Sequence, residues 1–212
     1  TEKLPGIEQG WKKYDFGKVY YFDYGQHTLN NVYNLICTIM PDVIYQNSFF
    51  SYDDLIPVLK YKKKNKKVGV IIAPRGEVCD NRFAAGKIKK IMYITILKLS
   101  RLLKNVKYQA TGDIEVQDIQ KYIGAKRTNI YNINNFSFVN EQAICSIKKK
   151  PGILNLCFIA RIQDTKNLLY GIERLKNIKG CINYDIYGPI ENREYYTQCF
   201  AVKLPVNVVV RY

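Results

Sequence analysis

Arg161 and Lys166 stand five positions apart, directly after an apolar run at 153–159 and at the opening of a helical pattern at 166–178. Such a pair can close around one diphosphate. A helix N-terminus offers free N–H groups and a positive dipole end, and Arg and Lys add charge-assisted donors for oxyanions. Each such bond contributes about 1.5 to 3 kcal/mol. Three further polar corners follow apolar runs in the same way: Asn47-Ser48, Pro74-Arg75-Gly76-Glu77 and Gly188-Pro189-Ile190-Glu191. In open α/β sheets ligands bind outside the carboxyl ends of the strands, so these four corners are where a site would be built. Neither a Walker A lysine motif nor a strand-linked G-x-G-x-x-G occurs, which excludes a P-loop ATPase and a standard dinucleotide fold. The single histidine, His27, excludes sites that need two imidazoles and reads as a hydrogen-bonded loop residue ahead of a helix. Six cysteines, at 37, 79, 145, 157, 181 and 199, form no C-x-x-C pair and read as buried reduced thiols.

The elements that must carry these corners alternate. A short apolar and aromatic run at 19–23 precedes Thr28, which can cap a helix bearing Val32, Leu35, Ile36 and Ile39 at helical spacing, with Pro41 ending it. Residues 42–46 read as a buried strand, and Ser51 with Asp54 three positions later is the capping-box pattern opening a second helix, which closes in six lysines at 60–67. The β-branched run at 68–73 is of the kind covered by helices on both faces. A helix at about 84–104 follows. It sets Ile88, Ile91, Met92, Ile96, Leu99, Leu102 and Leu103 on one side, with Lys87, Lys90, Lys98, Arg101 and Lys104 largely opposite. Strand 106–110, helix 113–123 and strand 128–132 continue the pattern, and lysines with Pro151 and Gly152 mark a linker at 148–152. Beyond it the order strand 153–159, helix 166–178, strand 182–187, helix 191–202, strand 206–210 is half of a nucleotide-binding sheet. The fold class expected is α/β: two incomplete, Rossmann-like, doubly wound parallel sheets, over residues 1–147 and 148–212.

The 212 residues include 33 Lys plus Arg against 18 Asp plus Glu, a net charge of +15, and residues 1–150 hold 25 of the cations and 13 of the acids. That surplus favours anionic partners and does not choose among them. With 18 tyrosines and the lysine-rich stretch it admits a basic nucleic-acid-binding module, although no ribonucleoprotein aromatic box, KH-type loop or zinc-finger spacing is present. It also admits a peripheral contact between the basic helix and an anionic membrane. No apolar stretch approaches the ~18 residues that span a bilayer.

At the same corners the sequence resembles the retaining GT-B glycosyltransferases of family four, in particular a bacterial polysaccharide-type subgroup. The stretch D-V-I-Y-Q-N-S-F-F-S at 42–51 is similar to that subgroup's acceptor-side strand and loop, and A-P-R-G-E at 73–77, followed by the helix led by Lys87 to Lys90, to its P-R-G segment. Ala110-Thr111 with Glu115 resembles the A-T-x-x-E corner. Arg161-Ile162 through Lys166-Asn167-Leu168 resembles the R-x-x-x-x-K-N-L signature that opens the donor domain, and Asp185 to Glu191 with Tyr195 and Cys199 its continuation. The resemblance implies transfer of a sugar from a nucleoside diphosphate sugar to a hydroxyl acceptor, such as a growing glycan or a lipid-linked sugar. Retention at the anomeric carbon, no metal cofactor, and a cytoplasmic or inner-membrane-peripheral location come with it. By matching position, Arg161 and Lys166 would be catalytic and, with Gly188, would hold the donor diphosphate; Asn47, Ser48, Arg75 and Glu77 would face the cleft from the acceptor side. The family's glycine-rich loop is not found before residue 19, and no two glutamates stand eight apart to form its E-x(7)-E segment. The resemblance therefore implies a fragment, truncated at both ends and inactive as it stands.

Overall fold

The structure, a computed structural model, describes residues 8–80, 86–136 and 149–212. Two compact units divide at Val139 and Asn140; the boundary expected at 147/148 lies outside the described residues. The first unit opens on an antiparallel hairpin, β1 (Gly10–Tyr14) and β2 (Gly17–Tyr21), in the register Gly10 to Tyr21 through Tyr14 to Gly17. Only the second of these strands is visible as an apolar run.

Helix α1 (Leu29–Ile39) starts where Thr28 Oγ1 accepts the Asn31 amide at 3.3 Å, and ends where Met40 turns left-handed (φ 50°) ahead of Pro41. β3 (Val43–Asn47), α2 (Tyr52–Lys64), β4 (Gly69–Ala73), α3 (Lys87–Leu99), β5 (Lys107–Ala110), α4 (Asp113–Asp118) and β6 (Ile130–Asn132) follow. A wide-turned π-helical segment, Ile119–Ile123, extends α4. The strands form one parallel sheet in the order β3-β4-β5-β6. The expected capping box at α2 takes another form. Ser51 Oγ donates to the Asp54 carboxylate instead of accepting an amide, and the other Asp54 oxygen lies 2.8 Å from His27 Nε2. His27, edge-on to the Phe22 ring, is thereby a structural tie between the α1 and α2 entries.

Cover on both faces of the 68–73 strand is met on one face. Val32, Ile36, Leu55, Leu59, Ile94, Leu97, Val116 and Ile119, from all four helices, form a single core with Val70, Ile72, Tyr108 and Ile130 of the sheet. Val43, Tyr45 and Tyr131, on the other side of the same strands, are exposed. Right-handed crossovers between strands laid down in sequential order place every connecting helix on the same face, and a second layer requires the order to reverse.

Helix α3 differs most from its sequence expectation. It buries Ile94 and Leu97, with Tyr93 and Lys90 partly covered, whereas Ile88, Ile91, Met92, Ile96 and Leu99 face outward. The residues expected at its start, 84–85, lie outside the described residues.

Asp118 is one of the buried acids of this unit, 7% exposed. Burial, with the negative charge of Asp80 nearby, pushes its carboxyl above the ordinary 3.8. The unfolded chain ionises first as pH rises, so stability present below 3.8 is lost as pH climbs through the raised folded value. Asp118→Asn is expected to raise the urea midpoint near about pH 7 and to leave it unchanged in acid below the ordinary carboxylate range, a comparison two denaturation curves provide.

The second unit is a three-stranded parallel sheet in the order β7 (Ile153–Ile159), β8 (Cys181–Tyr187), β9 (Val208–Arg211). Two connecting helices, α5 (Leu168–Arg174) and α6 (Arg193–Phe200), bury Leu168, Ile172, Tyr195 and Cys199 against Ile182, Tyr184, Ile186 and Val208. This is the β-α-β-α-β order expected. The helix foreseen at 166–178 is broken into a 3-10 turn Asp164–Lys166, α5, and a second 3-10 turn Leu175–Asn177. Cys199 is buried as expected, and burial pushes its thiol up; Cys37, Cys157 and Cys181 are exposed free thiols.

Candidate functional site

In the first unit, the carboxyl ends of β3, β4 and β5 are tied together by two carboxylates. Ser48 (φ 76°), Arg75 (φ 54°) and Gly76 (φ 73°) all adopt left-handed backbone, which turns loop amides inward where they need acceptors. One oxygen of Glu77 takes three of these donors: Ser48 Oγ at 3.0 Å, the Phe49 amide at 2.7 Å and the Phe50 amide at 3.1 Å. Glu115, 7% exposed, accepts the Gly76 amide through one oxygen and both the amide and hydroxyl of Thr111 through the other, each at 2.7 Å. Ser48 Oγ in turn accepts the Ser51 amide at 3.1 Å.

The four residues expected on the acceptor side are therefore brought to one corner, in two different roles. Ser48 and Glu77 are spent on the loop interior. Asn47 and Arg75 remain exposed, with Arg75 Nε donating to Asn47 Oδ1 at 3.1 Å and its Nη2 to the Tyr45 hydroxyl at 2.7 Å. The other guanidinium nitrogen reaches Asn135, Tyr45 donates to Gln109, and Gln109 donates to the Ile133 carbonyl at 2.9 Å. Sequence reading missed Tyr45, Gln109 and Asn135. The first two had a signal in their place, Tyr45 two positions before the end of β3 and Gln109 one before the end of β5.

In the second unit, the loops leaving β7 and β8 are joined by backbone bonds. Ala160 N donates to Tyr187 O at 3.1 Å, Ile162 N to Pro189 O at 2.9 Å, and the Glu191 and Asn192 amides both return to Ile162 O at 3.2 Å. Ile162, fully buried, bridges Ile190 in parallel. Gly188 (φ 139°) sits where the two loops touch: a Cβ there would lie 2.1 Å from the Ala160 carbonyl oxygen. Its role is to permit this closure. Arg161 leaves the start of the β7–α5 loop and donates to Glu191 Oε1 at 2.7 Å. Both side chains are more than a third exposed, so the pair contributes little to stability and exchanges readily for another anion. Lys166 ends the 3-10 turn of the same loop, exposed, and its ammonium makes no hydrogen bond or ion pair among the described residues. The expected helix N-terminus is less open than its sequence implied, because the Leu169 amide already donates to the Tyr195 hydroxyl at 2.9 Å.

No protein-family model matches the chain, and no curated relative does. Its structure is similar to that of the lipopolysaccharide outer core galactosyltransferase WaaB in its apo form, with a TM-score of 0.51 and 12% identity over 88% of this chain. The chain spans 48% of that protein's length. The likeness is one of fold: the GT-B-like α/β class with Rossmann-like parallel sheets, expected from sequence, is the class the chain adopts. No helix among the described residues is long and apolar enough to cross a membrane.

Proposed function

We propose that the chain belongs to a retaining glycosyltransferase of family four that moves a sugar from a nucleoside diphosphate sugar to a hydroxyl acceptor, a growing glycan or a lipid-linked sugar, in the cytoplasm. The observation that supports this reading is the corner where Gly188 lets the β7 and β8 loops touch, from which the exposed Arg161 and Lys166 leave on one loop, Arg161 paired only with the exposed Glu191. In it Arg161 releases Glu191 and, with Lys166, takes the diphosphate. As the bond from the anomeric carbon to the phosphate oxygen breaks, charge grows on the departing diphosphate, and fixed cations stabilise it without a metal. In the first unit, Asn47 and Arg75 are the residues the family resemblance would give to the acceptor, the latter held by Tyr45 and Asn47.

Calorimetric titration with nucleoside diphosphates tests this. Binding is expected to weaken on the order of a hundredfold to ten-thousandfold in the Arg161→Ala, Lys166→Ala double variant, from the ~3 to 6 kcal/mol that two charge-assisted contacts contribute. A nucleoside, lacking phosphates, is expected to bind equally weakly to both proteins. Equal affinity of wild type and double variant for the diphosphate would remove the reading.

A further inference from the structure

Helix α3 ends in a turn whose left-handed position favours glycine, and an arginine stands there instead. The Leu102 amide returns to Leu97 O at 3.1 Å and the Arg101 amide to Lys98 O at 2.9 Å, closing a Schellman turn over Leu97 and Leu102 of the core. Its left-handed residue is Arg101, at φ 56°, and Asn105 four residues on is left-handed as well, at φ 58°. Strain of this kind persists only where the surroundings hold it, and it gathers at sites that clamp ligands. Both residues line one hollow of about 290 Å³, together with Lys62, Lys63, Lys66 and Lys104. That volume is near the lower end of the range for small-molecule sites, about 300 to 1,000 Å³.

Five cations surround the hollow and no carboxylate lines it. None of the five forms an ion pair among the described residues. The stretches that build it, 55–76 and 81–112, contain no Asp or Glu. Helix ends supply part of the balance. Both α2 and α3 end at the hollow, where Lys62 Nζ donates to Val68 O at 2.8 Å and Lys63 Nζ to Ser100 O at 3.3 Å. Two helix C-termini amount to about one negative charge, which leaves most of the five positive ones unanswered. The side chains of Lys66, Arg101 and Lys104 make no hydrogen bond among the described residues. Partial burial pulls the Lys62 ammonium below its ordinary pKa, a cost that a bound anion offsets.

We infer that this hollow is a binding site for a soluble oligophosphate, two or more linked phosphate groups on one compact molecule. Its lining selects that class. The cations converge on a concavity, so several charges of one small anion are met at once by charge-assisted donors. No aromatic side chain lines it, and the bases of a nucleic acid would find nothing there to stack on. A second copy would bring like charge to like. The hollow lies where the chain enters β4 and β5, at the opposite end of the sheet from Asn47 and Arg75. It is therefore separate from the corner at the carboxyl ends of these strands, and the inference stands apart from the sugar-transfer reading.

The test is calorimetric titration with inorganic tripolyphosphate of the chain carrying Arg161→Ala and Lys166→Ala, so that the phosphate site proposed in the second unit is silent. Tripolyphosphate is expected to bind, and adding Lys66→Ala with Lys104→Ala to weaken it about a hundredfold, from about tenfold per charge-assisted contact. Lys13→Ala with Lys18→Ala, which removes the same charge from the β1–β2 hairpin, is expected to leave the affinity unchanged. Arg101→Gly is expected to weaken binding about tenfold while keeping or raising the urea midpoint, because glycine relaxes the left-handed turn. Absence of tripolyphosphate binding overturns the inference, as does an equal loss in the two lysine pairs or wild-type affinity in the Arg101 variant. Orthophosphate binding as tightly as tripolyphosphate overturns it in favour of a single phosphate, that of a monoester or a lipid headgroup. Mixed-sequence RNA that binds more tightly than tripolyphosphate, and is released by the Lys66, Lys104 changes, overturns it in favour of a nucleic-acid surface.

Discussion

Gly188→Ala is expected to cost about 3 to 5 kcal/mol, the sum of a backbone forced from φ 139° and a methyl group driven into a carbonyl. The new Cβ would stand 2.1 Å from the Ala160 oxygen and 2.7 Å from its carbon, both main-chain atoms that cannot swing aside. Relief requires the loops to part. That breaks the Ala160–Tyr187 and Ile162–Pro189 hydrogen bonds and carries Arg161 away from Glu191. Native-state amide exchange should show β8 losing about two to three and a half powers of ten in protection, while β4 in the other unit keeps its own. Gly171→Ala is the internal control. Its Cβ would meet only the end of the Tyr184 side chain at 3.4 Å, and alanine favours the helix by up to about 1 kcal/mol. Wild-type exchange in the Gly188 variant would mean that the two loops are not joined through these bonds.

Glu115→Ala is expected to destabilise the first unit by about 3 to 5 kcal/mol, because it strands three donors at once. The Gly76 amide, the Thr111 amide and the Thr111 hydroxyl all end on this carboxylate, and no water reaches its 7%-exposed side chain easily. Glu115→Gln is expected to fall between the two, since one carboxylate oxygen becomes an amide that faces a donor. Urea denaturation with an unchanged m-value gives the comparison directly. A loss under about 1 kcal/mol for the alanine variant would show that the corner holds without its carboxylate, and that Arg75 is positioned by Tyr45, Asn47 and Asn135.

The strands are legible in the amino-acid order alone, because short β-branched runs bounded by Pro, Gly and lysine clusters have few other ways to bury themselves. The segments expected at 68–73, 106–110 and 153–159 are β4, β5 and β7 within a residue or so. Thr28 as a helix cap is equally local, a side chain reaching an amide three residues on. The four corners are legible for the same reason: a polar residue after an apolar run marks where a strand leaves the sheet.

The face of α3 is not legible in this way. Apolar side chains occupy both its arcs, so periodicity identifies the helix and leaves open which arc meets the sheet. The fit of Ile94 and Leu97 into the core decides that. Nor does spacing distinguish Glu77 and Glu115, which serve inward-turned amides, from groups that face a ligand. Arg161 and Glu191, thirty residues apart, meet only because Gly188 lets two loops touch. The amino-acid order by itself determined the elements, their sequence and where polar chemistry would surface, since these follow from local hydrogen bonding and hydrophobic period. The tertiary structure decided which side of each element is solvent and which charge is free, because both depend on neighbours remote in the chain.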